Sequence, residues 1–219
     1  MFLLRVLFFV LYFVLTVVPV AAALILLWPF PYRVRFGIAR AWSRGMLWAG
    51  RLICGLDWVV EGEENLPTDP SVIYMKHSSI FETYAQIGVF PRHAWVVKEE
   101  LRWAPVIGWG ASAMKCIAID RRGGGKAVKQ VVRQGKARLA EGIWVTIFPE
   151  GTRMPPGETR RYGISGAALA REAGCLSGPA GSASALARLS TPQHKNQRTQ
   201  TRLPRPGLKQ RWWRLVRVL

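Results

Sequence analysis

From Val6 to Tyr32, VLFFVLYFVLTVVPVAAALILLWPFPY, the chain carries no charged residue. About 20 apolar residues suffice to cross the hydrocarbon core of a bilayer. This run therefore belongs in or on a membrane, and whatever follows must fold beside one. A cleaved signal sequence is the rival, because Ala21-Ala22-Ala23 imitates a cleavage site. The apolar run nevertheless continues through Leu24, Ile25, Leu26, Leu27 and Trp28, beyond the roughly 7–15 residues of a signal's hydrophobic region. A retained helix is the expectation. Pro19 and the aromatic-rich ends leave open a dipping hairpin in place of a full crossing.

The next segment, RVRFGIARAWSRGMLWAGRLICGL, repeats its arginines at 33, 40, 44 and 51, positions that return to one helical face at about 100° per residue. Phe36, Trp42, Met46, Trp48, Leu52 and Ile53 supply the apolar remainder. A basic amphipathic helix directly after a hydrophobic one reads as a surface helix on anionic lipid headgroups. Residues 1–56 are thus expected to form a membrane anchor. Only Arg5 precedes the hydrophobic run, whereas Arg33, Arg35, Arg40 and Arg44 follow it, so the remainder is expected on the cytoplasmic side of the inner membrane.

The formal net charge of +18 calls for an anionic neighbour: nucleic acid, a membrane surface or a phosphorylated substrate. Half of it comes from residues 175–219, which hold nine Lys/Arg and no Asp or Glu. Cys54, Cys116 and Cys175 are far apart and form no C-x-x-C, so neither a disulfide framework nor a zinc site is indicated.

Beyond Asp57 short β-like runs alternate with helical stretches, the pattern of an α/β domain. Candidate strands are residues 71–77, 94–98, 115–121 and 143–151, rich in Val, Ile and aromatic residues. Between the last two, Val128, Val131, Val132, Gly135 and Leu139 share one helical face and Lys126, Lys129, Arg133 and Lys136 another. That is an amphipathic crossover helix. Each strand ends in polar groups: His77, Lys98, Asp120 with Arg121, and Glu150 with Arg153. Ligands of open α/β sheets gather at strand ends.

In MKHSSIFETY, His77 and Glu82 lie five residues apart. An imidazole accepts a proton from a hydroxyl near neutrality, and a carboxylate on its other nitrogen fixes the tautomer and stabilises the imidazolium. A helix starting near Ser78 or Ser79 brings Glu82 within a turn, with Ser79 as a possible cap. Taken alone, the pair also fits a surface or capping role. FPEGTR, Phe148 to Arg153, makes a tight turn in which Gly151 relieves steric limits. Arg153 and Arg121 together offer forked donors for a phosphate; either alone also fits a surface ion pair. No G-x-S-x-G elbow surrounds Ser78 and Ser79, and RRGGGK lacks the Walker spacing.

KHSSIFET, IAIDRR and FPEGTR, in this order after a hydrophobic segment, resemble the blocks of the 1-acylglycerol-3-phosphate acyltransferase (lysophosphatidate acyltransferase) family. The resemblance covers about residues 1–174. It implies an α/β fold with a mixed sheet flanked by helices, an acyltransferase core over 57–174, and transfer of a fatty acyl group from acyl-CoA or acyl carrier protein to lysophosphatidate. His77 is then the general base and Glu82, where the family usually has aspartate, its orienting acid. Arg121, Glu150, Gly151 and Arg153 are implied to line the phosphate pocket. Neither a metal nor a cofactor is expected beyond the acyl donor, and the partners are membrane lipid and these substrates, with no specific nucleic acid. The acceptor remains open to another lysolipid such as lyso-ornithine lipid.

After Cys175 the family's hydrophobic, proline-containing fourth block is replaced by a basic segment rich in Ser, Pro, Gln and Arg. A shifted reading frame near codon 175 is one expectation, under which the core loses a strand and the chain is inactive. A native tail is the other, in which KQRWWRLVRVL lies on anionic lipid or binds RNA. Two further classes stay open: a non-catalytic membrane or nucleic-acid binding protein, and a lipid hydrolase using the same histidine.

Overall fold

The structure, a computed structural model, describes residues 2–56, 58–60, 63, 66–155, 158, 160–180 and 216–218. Most of the basic tail, residues 181–215, lies outside them, as does the greater part of KQRWWRLVRVL. Two long helices come first, α1 (Phe2–Leu26) and α2 (Tyr32–Cys54). Then follow β1 (Trp58–Val60), β2 (Val72–Met75), α3 (Phe81–Val89), β3 (His93–Lys98), a 3-10 turn (Glu99–Trp103) and α4 (Ile107–Ala113). The chain continues through β4 (Ile117–Ile119), a second 3-10 turn (Arg121–Gly123), α5 (Gly125–Ala140), β5 (Trp144–Ile147), α6 (Ser165–Ala173), β6 (Ser177–Ala180) and β7 (Val216–Val218).

Helix α1 has 25 residues and is about 37 Å long at 1.5 Å per residue, so by length and composition it suffices to cross a membrane. Only Ala21 and Leu24 are buried in it. Its inward face sets Phe9, Tyr12 and Phe13 against Met46 and Leu47 of α2 and Phe81 and Tyr84 of α3. The opposite face leaves Leu3, Leu7, Leu11, Leu15 and Val18 exposed, which water penalises and a bilayer does not. Helix α2 is amphipathic as its periodicity predicts, burying Phe36, Ala39, Met46 and Leu47. It ends at Gly55, whose φ of 68° gives a left-handed cap that a side chain would strain.

The arginine stripe is corrected in one place. Arg33, Arg44 and Arg51 are exposed, but Arg40 turns inward, its Nε donating to Ile87 O at 3.1 Å and its Nη2 to Phe90 O. The reason is the carbonyl-rich C-terminus of α3, whose last groups lack helical partners and attract a cation.

The central sheet has the order β4-β3-β5-β2-β6, and its five strands all run parallel. The antiparallel pairing that a mixed sheet requires is found in a separate pair, β1 with β7. Helices α5 and α6 cover one face, where Val131 and Leu169 meet Val72, Val96, Ile117, Val145 and Ile147. The first helices cover the other, packing around Phe36, Ala94, Ala113 and Ile143. Strand β6 lies just past the 57–174 boundary expected for the core. SGPA has poor β propensity, but its backbone pairs with Val72 to Met75 and so covers that edge of β2.

Gly135 lets α5 and α6 approach closely: a Cβ there would lie 2.5 Å from Leu169 Cδ2, and Leu169 is fully buried. Overpacking of about 1–3 kcal/mol exceeds the roughly 1 kcal/mol of helix propensity that alanine adds. Gly135→Ala is therefore expected to lower the melting temperature by a few degrees in a thermal unfolding scan.

Candidate active site

Strands β2 and β5 are neighbours, with Tyr74 opposite Ile147. Three residues further along each strand bring His77 beside Glu150, and the backbone N–H of His77 donates to Glu150 Oε2 at 3.3 Å. His77 O in turn accepts from Met154 N at 2.7 Å. The two segments that follow the strands are thereby tied together at the carboxyl edge of the sheet, where parallel α/β proteins bind ligands.

Between β2 and α3 the chain turns around one carboxylate. Glu82 Oε1 accepts from Ser78 N and Ser79 N, both at 2.6 Å, and from His77 Nδ1 at 2.8 Å. Ser79 Oγ donates to Glu82 Oε2 at 2.5 Å and accepts from Phe81 N at 3.1 Å. The glutamate reaching back to the serine N–H is one half of a capping box, while Ser79 Oγ takes the Phe81 N–H from one residue before the N-cap, which is Ile80 and not the expected Ser79. SIFE, Ser79 to Glu82, is the S-x-x-E signature of that box. The helix consequently begins at Phe81, later than a start at Ser78 or Ser79, because the carboxylate holds both of those amides in the preceding turn.

The side chain of Glu82 is fully buried and that of His77 is 18 % exposed. Burial raises the Glu82 pKa, but hydrogen bonds from His77 and Ser79 outweigh it and leave the carboxyl below its ordinary value. An ionised carboxylate only accepts, so His77 Nδ1 carries the proton and Nε2 presents a lone pair. The imidazole also stacks on Phe148, with ring centroids 4.3 Å apart at 28°. The ring is thus held from two sides.

Glu150 is buried at the centre of the site. Its Oε1 and Ser78 Oγ are buried without a hydrogen-bond partner among the described residues, and such atoms call for an explanation. Gly151 has φ 69°, a left-handed conformation that glycine adopts without strain. Arg121, beyond the end of β4, reaches over to donate through Nη1 to Gly151 O. Arg153 is exposed on the same turn. Of the residues singled out in the sequence, His77, Glu82, Glu150, Gly151 and Arg121 are joined by hydrogen bonds, directly or through the turn. Arg153 is near them in the chain, and no such bond among the described residues draws in its guanidinium.

Other groups are poorer candidates. His93 is fully buried, donates from Nδ1 to Pro91 O at 2.8 Å and has its pKa pushed down to about 4 by burial. Cys116 sits just before β4, and burial pushes its thiol up to about 12, so it is no nucleophile at neutral pH. Phe148 opens the FPEGTR block, but nothing in the block announces its stacking on His77, which depends on β2 and β5 lying side by side.

The chain matches a protein family described as Acyltransferase over residues 57–182. It is 42% identical over 146 residues to a 1-acyl-sn-glycerol-3-phosphate acyltransferase of Pseudomonas aeruginosa, covering 67% of this chain and 56% of that protein. A 1-acyl-sn-glycerol-3-phosphate acyltransferase of Saccharomyces cerevisiae is 30% identical over 106 residues, 47% of this chain and 34% of the relative. The chain thus spans little more than half the length of the first and a third of the second. Among solved structures, the 1-acyl-sn-glycerophosphate (LPA) acyltransferase PlsC from Thermotoga maritima superposes with a TM-score of 0.65 at 21% identity, over 80% of this chain and 71% of that one. That likeness carries the fold, and the family match extends through β6, across every strand of the parallel sheet. This chain belongs to the acyltransferase family.

Proposed function

We propose that the chain transfers a fatty acyl group from a thioester, acyl-CoA or acyl carrier protein, to the free hydroxyl of 1-acyl-sn-glycerol 3-phosphate, giving phosphatidate. The observation that carries this reading is the 2.8 Å bond between His77 Nδ1 and Glu82 Oε1, which leaves Nε2 as the base. Nε2 takes the hydroxyl proton as the oxygen attacks the thioester carbonyl. The tetrahedral intermediate collapses, the carbon–sulfur bond breaks, and the imidazolium returns its proton to the departing thiolate. The acyl group passes directly to the acceptor oxygen, with no acyl-enzyme.

Arg121 and Arg153 supply positive charge for the acceptor phosphate, and a guanidinium suits a phosphate through paired donors. Glu150 has another part in this reading. A buried carboxylate repels a phosphate dianion, whereas its bond to the His77 N–H holds the base-bearing loop. The hydrophobic α1 and the basic face of α2 anchor the domain on the cytoplasmic side of the membrane that holds its substrate. Of residues 175–219, Ser177–Ala180 belong to the sheet as β6, and the basic segment beyond them keeps its reading as a tail.

The reading is tested with the full chain in detergent or vesicles, supplied with a panel of lysolipids and both thioester donors. Phosphatidate should form from lysophosphatidate, with little free fatty acid. The double replacement of Arg121 and Arg153 by alanine should raise KM for lysophosphatidate by about 10–100-fold, the loss of one or two charged hydrogen bonds. It should leave a neutral monoacylglycerol acceptor nearly unaffected. Water as the preferred acceptor, or equal losses for charged and neutral acceptors, would overturn it.

A further inference from the structure

The 3-10 turn Glu99–Trp103 leaves β3 at the same edge of the sheet that carries His77, and α4 runs on from it to pack against α1. A Cβ built on Gly110 would lie 3.9 Å from Ala21 Cβ, so the two helices meet almost backbone to backbone. Along this segment Trp103 is 85% exposed and Trp109 56%, with Ile107 exposed between them. At the end of α1, Trp28 and Phe30 are exposed as well. An open, mainly apolar groove of about 430 Å³, lined by Ile25, Trp28, Trp109 and Ser112, joins the two sets.

A protein face bathed in water rarely presents so many large apolar side chains together. Tryptophan is the side chain that favours the lipid–water boundary, where its ring body is apolar and its N–H stays near water. Two cations lie near these rings: Arg35, buried and donating to Ala113 O at 2.7 Å, has its guanidinium 5.2 Å from the centre of the Trp28 ring, and Arg102, next to Trp103, is exposed for contact with lipid headgroups. The patch is continuous with the outward apolar face of α1, and this continuity selects a bilayer as its occupant.

We propose that Trp103, Ile107 and Trp109, with Trp28 and Phe30, form a second membrane contact that seats the domain at the headgroup level of an anionic bilayer. Helix α1 supplies attachment; this contact supplies orientation. Because it begins at the carboxyl edge of the sheet, it turns the His77 site toward substrates lying in the membrane plane. The inference rests on α1 being embedded in lipid, as in the function proposed above.

The test uses the full chain in vesicles of phosphatidylcholine and phosphatidylglycerol at about 3:1, with bromine on carbons 6 and 7 of the acyl chains. The double replacement of Trp103 and Trp109 by phenylalanine should remove about a fifth or more of the bromine-quenched tryptophan emission. If the lost emission was instead quenched by aqueous iodide and not by bromine, these residues face water and the proposal fails. The corresponding double serine variant should keep its rate on a short-chain lysophosphatidate dissolved as monomer, and lose about tenfold on long-chain lysophosphatidate in vesicles. Equal rates of the variant and the unaltered chain on vesicles would remove the orienting role. Intact quenching in a chain that transfers no acyl group would leave the contact standing and overturn the assigned reaction alone.

Discussion

Replacing His77 by alanine should lower the proposed acyl transfer by about 10²–10⁴ in kcat, the usual contribution of a positioned general base. KM for lysophosphatidate should change little, because in the proposed function the phosphate is held by Arg121 and Arg153. Stability should fall modestly: alanine keeps the backbone N–H that donates to Glu150, but it takes the Nδ1–H donor from the fully buried Glu82. A purified, folded variant with an undiminished kcat would sink the assignment of His77 as the base. A hydrolase using the same histidine would show an equal loss of fatty-acid release, so transfer to lysophosphatidate and to water must be measured together.

Glu82 produces the second large effect, and it divides into a catalytic and a structural part. Glutamine preserves the side-chain length and an acceptor oxygen for the Ser78 and Ser79 amides, but it removes the charge that stabilises the imidazolium. Glu82→Gln should therefore lower kcat by about 10²–10³, of the order expected for loss of an oriented base, and lower the melting temperature modestly. Alanine removes the acceptor of two backbone N–H groups, one hydroxyl and the His77 Nδ1–H together. Each buried donor left without its acceptor costs about 1–3 kcal/mol, so Glu82→Ala should melt far below Glu82→Gln. Equal melting temperatures for the two would show that the carboxylate does not organise the turn.

The same carboxylate sets a pH dependence. Its pKa is lower in the folded chain than its ordinary value of 4.5, so it binds protons less readily folded than unfolded. The stability it confers is complete above 4.5 and is lost as pH falls through the lower, folded value. The urea midpoint of the unaltered chain should therefore fall on acidification below that point, and Glu82→Gln should show a flatter profile there.

The sheet strands were legible because four runs of β-branched and aromatic residues each stop at polar groups; β2, β4 and β5 fall inside those runs, and β3 begins one residue before its run, at His93. The pairing of His77 with Glu82 was legible for a local reason: five residues around a helix start are close in space whatever the rest of the fold does. Segment 99–113 was harder. WAPVIGWGASA mixes glycine, proline and tryptophan without a helical period, and α4 exists through its packing on α1. Strand β6 was hidden for a related reason, since backbone pairing with β2 makes SGPA a strand and no side chain announces it. Phe148 and the His77–Glu150 bond follow from the register of two strands about seventy residues apart in the chain, which no local pattern encodes.

The stack of His77 on Phe148 bears on the energy of the reaction as well as on the orientation of the ring. An aromatic face carries partial negative charge and attracts a cation by about 0.5–2 kcal/mol, more as water is excluded. While His77 is neutral the benzene ring gains little from this. In the proposed reaction the imidazole takes the hydroxyl proton and positive charge grows 4.3 Å above that face, so the attraction would strengthen during the step that needs it. Phe148 would then favour the transition state over the resting one, and leucine in its place would keep the packing while giving up that selectivity.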